Sequence, residues 1–378
     1  MIKKIVLFLI FCVVVFGGAS YFLVEREYIK RTYFSNGKMQ SEITYLNDKR
    51  NGLAKYYYDN GQLRMEISYL NDQIHGQFKQ YYSNGNLMMI YSRVNDKTEG
   101  LLQEYYETGQ IKYEEHYEND LLTGVVKEFY PSGIVKQETT YNKGLQNGSD
   151  KLYYENGQLK ESSFYQNDRL DGIKDVYSKT GVLKMQVPFK NDVVDGVVYM
   201  FYDNKQKQAE FPYKNGILEG EGFEFDTEGN KIASYLFKNN EREGVSKIYD
   251  KDGILLFEMM YKNGRLEGVS KEYYKSGQIH SEILYTNNQK NGEAKVYYED
   301  GKIAKTVSFA NNQFHGLTKN YSRSGEQTLE VLFENGEPTQ GFLYKGGRKT
   351  NLPAIELEKL KALKTLLFYE TEDKSKTK

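Results

Sequence analysis

The 378-residue sequence lacks tryptophan and contains only five prolines, four histidines and one cysteine. Because that cysteine, Cys12, lies in the apolar N-terminal run, the rest of the chain can form neither a disulfide nor a thiolate site. Positive charge is not in excess, since 51 Lys and Arg stand against 52 Asp and Glu. Nucleic-acid-binding proteins carry a clustered positive excess, so this balance argues against DNA or RNA as a partner.

The patterns that support catalysis or metal binding are also missing. The four histidines, His75, His116, His280 and His315, are scattered along the chain, and no His/Cys metal spacing, phosphate-binding loop or Ser-His-Asp set is present. Carboxylates such as Glu66, Glu114, Glu138, Glu258 and Glu282 recur at one repeated position, which does not suit a unique acid-base pair. The sequence therefore predicts a non-enzymatic protein with no cofactor and no metal.

Glycine and tyrosine are abundant, and most of them recur every 24 residues. One glycine column, interrupted by Lys205, is predicted to close hairpin turns: Gly37, Gly61, Gly85, Gly109, Gly133, Gly157, Gly181, Gly229, Gly253, Gly277, Gly301 and Gly325. A second column runs without exception from Gly52 to Gly316 and connects the hairpins. A fixed period of this length predicts a repeat array, which offers a long surface rather than a pocket.

Each repeat is predicted to be a β-hairpin. Asn60-Gly61, flanked by aromatic and aliphatic residues, is a strong hairpin signal. Because Thr or Glu replaces the asparagine in other repeats, we expect a type I turn with a G1 bulge, which needs positive φ only at glycine. This register places Tyr57 opposite Leu63 and Lys55 opposite Met65, and it puts residues 55, 57, 63, 65, 67 and 69 on one face.

That register predicts an exposed aromatic stripe. The residue five after each connecting glycine is aromatic in every repeat, and the residue seven before it is aromatic in all but one, where Arg93 stands. Large exposed apolar patches mark interaction surfaces. The candidate binding face therefore comprises Tyr57, Tyr81, Tyr105, Phe129, Tyr153, Tyr177, Phe201, Phe225, Tyr249, Tyr273, Tyr297 and Tyr321.

The connectors between hairpins carry asparagine five residues before the connecting glycine, with Lys143 as the one departure. Asparagine tolerates left-handed backbone geometry, so these residues are predicted to form turns rather than to bind ligands. The repeats around Lys205 depart furthest from the pattern, since Lys207 and Lys231 replace aliphatic residues and Asp226 replaces a tyrosine. The sequence predicts a positive φ at Lys205.

The ends of the chain differ from the repeats. In residues 1–24, Lys3 and Lys4 precede an uncharged run from Ile5 to Val24, which predicts either a membrane helix through residues 5–24 or a signal peptide cleaved near Gly17–Ser20. We expect repeats outside the cytoplasm, anchored to the inner membrane or, after cleavage, secreted or periplasmic. Residues 25–345 form the array, leucines at helical spacing predict a capping helix at 353–369, and residues 370–378 are predicted to be disordered.

Two motifs carry a family resemblance. The hairpin Tyr153-Tyr154-Glu155-Asn156-Gly157-Gln158-Leu159 and the connector from Tyr165 to Gly172 resemble the membrane occupation and recognition nexus (MORN) repeat in its bacterial variant form. His75-Gly76 and His315-Gly316 match the His-Gly pair of many members. The resemblance extends over residues 33–344 and implies an elongated antiparallel sheet used for binding or scaffolding. Bacterial proteins of this kind are often classed as YwqK-type antitoxins, whereas some eukaryotic relatives are tied to membranes and phosphoinositide kinases.

The predicted fold class is all-β, an extended single-layer antiparallel sheet of about 13 hairpins with an N-terminal membrane helix and a short C-terminal helix. The predicted function is a binding scaffold with a protein partner, of which a toxin is one case. The alternative is a surface for anionic lipid headgroups. Lysine stands three residues after the connecting glycine in most repeats: Lys55, Lys79, Lys127, Lys151, Lys247, Lys271, Lys295 and Lys319.

Overall fold

The computed structural model describes residues 7–16 and 19–362, and the side chains of residues 25–360. The predictions made for Lys3, Lys4, Gly17, Gly18 and residues 363–378 lie outside this range. The described chain is almost entirely antiparallel β-sheet with one short helix. It divides into two compact units: unit 1 comprises Met1–Leu183 and Phe189–Asp192, and unit 2 comprises Lys184–Pro188 and Val193–Lys378.

In unit 1 each strand pairs with strands that are close to it along the chain. Its strands are β1 (Leu7–Phe16), β2 (Ala19–Tyr33), β3 (Met39–Leu46), β4 (Lys49–Tyr57), β5 (Leu63–Leu70), β6 (Gln73–Tyr81), β7 (Leu87–Val94), β8 (Lys97–Tyr105), β9 (Ile111–Glu118), β10 (Leu121–Leu122), β11 (Gly124–Phe129), β12 (Val135–Asn142), β13 (Leu145–Tyr153), β14 (Leu159–Gln166), β15 (Arg169–Leu170) and β16 (Gly172–Tyr177). Strand β17 (Leu183–Lys190) has residues in both units.

Unit 2 continues the same pattern. It contains β18 (Val193–Val194), β19 (Gly196–Phe201), β20 (Lys207–Lys214), β21 (Ile217–Leu218), β22 (Gly220–Phe225), β23 (Lys231–Lys238), β24 (Glu241–Arg242), β25 (Gly244–Tyr249), β26 (Leu255–Lys262), β27 (Arg265–Leu266), β28 (Gly268–Tyr273), β29 (Ile279–Thr286), β30 (Gln289–Lys290), β31 (Gly292–Tyr297), β32 (Ile303–Ala310), β33 (Gln313–Tyr321), β34 (Gln327–Glu334), β35 (Glu337–Lys345), β36 (Arg348–Asn351) and helix α1 (Ala354–Ala362). The two-residue strands are the first segments of longer strands that are interrupted just before a connecting glycine.

The N-terminal residues that the structure describes are strands, not a helix. β1 and β2 pair from Leu7 opposite Tyr28 to Phe16 opposite Ala19. The predicted membrane helix therefore does not hold for residues 7–16 and 19–24. The run contains consecutive β-branched valines, which favour strands, and the length of an apolar run does not by itself distinguish a helix from strands. Among the described residues, no helix reaches membrane-spanning length and hydropathy.

Two kinds of turn alternate along the chain. In the hairpin turn, the Tyr58 N–H donates to the Gln62 carbonyl (2.8 Å) and the Gly61 N–H donates to the Tyr58 carbonyl (2.9 Å). All twelve hairpin glycines have φ between +78° and +96°, which fits a type I turn closed by a G1 bulge. In the connectors, pairs such as Asn47 and Asp48 both have positive φ, the signature of a two-residue type I′ turn.

A second bulge, in the strands next to the hairpin turn, makes the pairing of residues differ from the one that the sequence predicts. Tyr57 lies opposite Leu63 as predicted, but Lys55 lies opposite Glu66, because the bulge between Tyr56 and Tyr57 shifts the pairing by one residue. The prediction that Lys55 faces Met65 is wrong. A shift of one residue moves side chains to the other face. The two predicted aromatic columns consequently lie on opposite faces instead of forming one stripe.

One face of the sheet is buried in each unit, and we call it the inner face. In unit 1 it holds Ala54, Ile67 and Tyr69, which are at most 8% exposed. In unit 2 the corresponding cluster consists of Ala294, Val296, Val307 and Phe309, with Ile283 and Phe314 packed against it. The aromatic column seven residues before the connecting glycine, which includes Tyr69, belongs to this face.

At some positions of the second glycine column, close packing as well as backbone geometry requires glycine. These glycines have φ between +73° and +135°. A Cβ atom at Gly148 would lie 2.9 Å from the Cβ and Cγ2 of Thr140, and one at Gly196 would lie 2.9 Å from Cγ of Pro188. The side chain eight residues upstream therefore occupies the space that a side chain here would need.

Helix α1 packs against β35 in unit 2. A Cβ atom at Gly341 would lie 2.5 Å from Cδ1 of Leu352 and 3.0 Å from Cδ2 of Leu357, so both leucines cover this glycine. The Leu352 N–H also donates to the Gly341 carbonyl (2.8 Å). The predicted helix is present as far as Ala362, and it lies on β35 while β36 occupies the next position in the sheet.

The irregular repeats of unit 2 contain local compensations. The Lys207 ammonium lies 5.0 Å from the ring centre of Tyr199, and the Lys231 ammonium lies 5.2 Å from that of Phe223. Asp226, in place of tyrosine, accepts the N–H groups of Glu228 and Asn230 at 2.9 Å each. Cation–π contacts and turn capping thus replace the usual aliphatic and tyrosine contacts.

Lys205 is a strained residue, since it takes the hairpin-glycine position with φ of +70°. We expect Lys205→Gly to raise the free energy of unfolding by about 0.5–1 kcal/mol, because glycine adopts this geometry without a Cβ penalty. The matched control is Lys179→Gly, an exposed turn residue without positive φ, which should bring no gain. Urea unfolding measures the stability of both variants. An unchanged or lower midpoint for Lys205→Gly would show that Lys205 is not strained.

Candidate binding surface

The face opposite the inner face, which we call the outer face, carries a row of charged side chains in each unit. Successive cross-strand partners define this charged row. In unit 1 it is Arg31, Glu42, Lys55, Glu66, Lys79, Ile90, Gln103, Glu114, Lys127, Glu138, Lys151, Ser162 and Asp175. In unit 2 it is Ser234, Lys247, Glu258, Lys271, Glu282, Lys295, Thr306, Lys319 and Glu330.

The lysine column of the sequence is part of this row, and each of its eight lysines lies opposite a glutamate on a neighbouring strand. Five of these pairs bring the lysine Nζ within 3.4–3.9 Å of the carboxylate. Their side chains are partly exposed, so the pairs contribute little stability. Their main consequence is that the positive column is neutralised within the sheet.

The predicted binding-face aromatics lie beside the charged row and are half-buried. The Tyr81 hydroxyl donates to the Glu66 carboxylate (3.0 Å), and Tyr273 donates to Glu258 (2.7 Å). Burial and the hydrogen bond to glutamate raise the pKa of Tyr81 to about 12, and the same causes raise the pKa of Tyr273 to about 12. These hydroxyls are already hydrogen-bonded within the sheet and stay protonated near neutral pH.

An exposed apolar column lies on the other side of the charged row. It consists of the residue directly after each connecting glycine, which shares a face with the row lysine two residues later. Its apolar members are 36–56% exposed: Leu53, Leu101, Val125, Ile173, Val197, Val245, Val269 and Leu317. The sequence gives no clear signal for this column, because aliphatic residues after a turn glycine do not stand out against the tyrosines.

Hydrogen bonds between repeats hold this surface in a fixed arrangement. The hydroxyl of Tyr58 donates to the carbonyl of Tyr81, 23 residues further along the chain (2.8 Å). The same bond is made by Tyr82, Tyr106, Tyr130, Tyr154, Tyr202, Tyr274 and Tyr298. These tyrosines, which recur at one position of the 24-residue repeat, therefore tie eight of the hairpin turns to the next.

The connectors are linked in a similar way. In unit 1, Oδ1 of Asp120 accepts the backbone N–H of Thr98 (2.6 Å). This N–H holds the pKa of Asp120 below its ordinary value. In unit 2, Asn288 uses its amide oxygen to accept the equivalent N–H of Leu266 (2.7 Å). One position is thus acidic in the first connector and neutral in the second.

Because of this difference, the effect of Asp120→Asn on stability is predicted to depend on pH. A carboxyl whose pKa is lowered by folding stabilises the protein above its unfolded pKa of about 3.9, and this contribution is lost as pH falls through the lower folded value. Asparagine makes the same bond without titrating. We therefore expect the stability advantage of the native chain over Asp120→Asn to shrink on acidification from neutral pH to below about pH 4. Urea unfolding at each pH measures the stability, and Asp59→Asn, at an exposed hairpin turn, is the control. A stability difference between the native chain and Asp120→Asn that stays constant with pH would contradict the prediction.

The inner face contains a buried hydroxyl without a hydrogen-bond partner. Thr318 is 1% exposed, lies between Val307 and Val331, and its Oγ1 has no partner. We expect Thr318→Val to raise the free energy of unfolding by about 1 kcal/mol, because it removes an unpaired buried polar group at almost constant volume. Thr139→Val is the matched control: Thr139 donates to Asp150 (2.6 Å), so its loss should destabilise. Equal effects in urea unfolding would refute this explanation.

The outer face combines paired charges with exposed apolar side chains. Within residues 25–360, no group of His, Cys, Asp or Glu side chains is placed to hold a metal ion. Charged residues of the outer face form ion pairs across strands, and the apolar column lies exposed beside them. The surface can therefore present apolar contacts beside a regular, internally neutralised row of charges.

Comparisons with known proteins identify the repeats. The MORN repeat variant pattern matches residues 29–47, 50–71, 74–95, 98–119, 122–143, 146–167, 194–215, 242–263, 266–287 and 290–311. No curated protein matches the chain.

Some solved structures are similar in part. A chain of the TcdB2–TccC3–TEV crystal structure is 10% identical, with a TM-score of 0.16, over 94% of this chain and 24% of that one. A chain of the Photorhabdus luminescens Tc holotoxin pore is 13% identical, with a TM-score of 0.14, over 86% of this chain and 20% of that one. A porin-like protein from Bacteroides uniformis is 12% identical, with a TM-score of 0.13, over 60% of this chain and 92% of that one. The chain thus spans about a quarter or less of the two toxin-complex chains.

The family match agrees with the geometry of each repeat, in which a glycine-closed hairpin and an asparagine connector alternate. The matched segments cover more than half of the 378 residues, and the chain belongs to the MORN repeat variant family.

Proposed function

We propose that this chain is a non-enzymatic binding scaffold whose partner is a protein. The observation that supports this proposal is the exposed apolar column on the outer face, with members such as Ile173 at 56% and Val125 at 47% exposure. Exposed apolar side chains beside polar groups are typical of protein-binding sites. A rigid sheet held by bonds between repeats would present this surface with little loss of conformational entropy on binding.

The charged row favours a protein over a membrane surface. Binding to anionic lipid needs an uncompensated positive patch, since each lysine near such a surface contributes about 1 kcal/mol. Lys55, Lys127 and Lys247 each have a glutamate within 4 Å, so the field of the lysine column is largely cancelled. A YwqK-type antitoxin would be one case of such a scaffold, with a toxin as its partner.

Vesicle flotation separates the two functions. We expect the full chain to float equally with phosphatidylcholine vesicles and with vesicles that contain phosphatidylserine, at low and at high salt. A salt-sensitive preference for the anionic vesicles would overturn the protein-scaffold proposal. Pull-down with the native chain and with Leu101→Glu, which changes an exposed apolar residue, should then recover a protein that the variant does not retain.

Export to the cell envelope is part of the proposal, motivated by the basic residues and uncharged run of the N-terminus. Protease added to spheroplasts should then digest the repeats. Complete protection would favour a cytoplasmic antitoxin instead.

A further inference from the structure

Unit 2 carries a continuous group of exposed apolar side chains on its outer face, which we call the apolar band. It consists of Leu236, Val245, Met260, Val269 and Leu284, each 36–46% exposed. Val245 pairs with Met260, and Val269 pairs with Leu284. Met260 also lies over Gly268 on the following strand, where a Cβ atom would be 3.2 Å from its Cγ. The band therefore runs across β23, β25, β26, β28 and β29 without a polar interruption.

The charged row beside this band alternates in sign from strand to strand. Lys247 on β25, Glu258 on β26, Lys271 on β28 and Glu282 on β29 are successive cross-strand partners. Each of these residues shares a face with a member of the apolar band two positions away on the same strand. Such a pattern has no net charge, but it can recognise a surface on which the signs alternate with the same spacing.

A second copy of this chain provides that surface. Consider a two-fold axis that lies parallel to the strands and passes between β26 and β28. It places Glu258 opposite Lys271 of the second copy, and Lys247 opposite Glu282 of the second copy. The same axis places Val269 against Met260 and Val245 against Leu284. On each of these four strands, the charged residue then faces an opposite charge of the second copy, and the apolar residue faces an apolar residue.

A two-fold axis that passes through a strand is less favourable than one between two strands. An axis that passes through a strand sets each charge against one of the same sign, which costs energy when water is excluded. Any axis parallel to the strands aligns the strand axes of the two sheets, as in stacked sheets, whose strands lie within about 30° of each other. Self-complementary surfaces of this kind are typical of isologous two-fold interfaces.

We propose that unit 2 associates with a second copy of this chain through the apolar band and the alternating charged row. This inference rests on the proposed function, a protein-binding outer face, and names a partner for part of it. The interface is symmetric, so Lys271 and Glu258 each contribute to two contacts in the dimer. The contact should weaken with salt, because charges at the rim of an interface are screened.

Sedimentation equilibrium of the full chain tests the proposal. We expect a weight-average mass that rises with concentration toward that of a dimer, and a dissociation constant at least tenfold weaker for Val269→Glu. Ile173→Glu, at the equivalent position in unit 1 and 56% exposed, is the matched control and should leave self-association unchanged. A native chain that stays monomeric, or an equal loss in both variants, would overturn the proposal.

Two charge reversals test the axis itself. Lys271→Glu sets like charges against Glu258 of the second copy, and Glu258→Lys sets like charges against Lys271, so each variant alone should dimerise at least tenfold more weakly. An equimolar mixture of the two variants should form heterodimers with near-native affinity, because each then faces an opposite charge. The pairs within each sheet stay broken in this mixture, so recovery reports the contact between copies. No recovery in the mixture, with both variants folded by circular dichroism, would overturn the proposed axis.

These results are distinguishable from the test of the proposed function. Monomeric behaviour with no lipid preference would refute self-association and leave the protein scaffold standing. Preferential flotation with anionic vesicles would refute the scaffold function whatever the sedimentation result.

Discussion

Replacing Gly148 by alanine should lower the free energy of unfolding by about 3 kcal/mol. Gly148 has φ of +130°, a region that residues with a side chain rarely adopt. The new Cβ would also lie 2.9 Å from both Cβ and Cγ2 of Thr140, which is shorter than a van der Waals contact. Because Thr140 is β-branched and fixed on β12, the conflict requires movement of the backbone. The free energy of urea unfolding measures this loss.

Gly124→Ala is the control for this substitution. Gly124 occupies the same column with φ of +73°, and no atom lies within 4 Å of the position of its Cβ. Only the cost of the left-handed backbone remains there, about 1 kcal/mol. Equal losses at the two positions would show that the glycine column is required by φ alone and not by the residue packed against it.

The turns are the part of the fold that the sequence determines most directly. Gly61 and Asn47 each specify a local backbone conformation, and local conformation needs no knowledge of the rest of the chain. The positive φ expected at Lys205 is present for the same reason. A strained residue at a strict repeat position is visible in the sequence because its neighbours in the column are glycine.

The assignment of faces could be predicted only in part. The pairing of Tyr57 with Leu63 follows from the turn, but the bulge beside Tyr56 shifts every pair beyond it. A bulge leaves the spacing of the hydrophobic residues unchanged and reverses the face on which they lie. The expected stripe therefore divided into an outer column with Tyr57 and an inner column with Tyr69.

The bonds between repeats were beyond sequence reasoning. The Tyr58 hydroxyl reaches the Tyr81 carbonyl only because two hairpin turns lie side by side in the sheet. These tyrosines recur every 24 residues in the sequence, yet the acceptor of each hydroxyl is a backbone atom, which has no sequence signature. The pairing of Lys55 with Glu66 is similar, since it depends on the bulged register. Near the N-terminus, composition alone favoured a helix for residues that pair as β1 and β2.

The largest loss of stability from a side-chain truncation is expected for Phe333→Ala, at about 3–5 kcal/mol. Phe333 belongs to the same column as Tyr69, is 1% exposed, and its ring centre lies 5.2 Å from that of Phe314. It also pairs with Gly316, so no side chain at that position could fill the space that the ring leaves. The free energy of urea unfolding measures the loss.

Phe164→Ala provides the comparison that tests the faces. Phe164 lies one position out of phase with this column, on the outer face opposite Ser149, and it is 49% exposed. Its truncation should cost no more than about 0.5 kcal/mol, as is usual at exposed positions. The inner face would then stabilise the sheet, and the outer face would be free to bind. Comparable losses for both phenylalanines would mean that the outer face also stabilises the fold. The exposed apolar column would then no longer support a binding function.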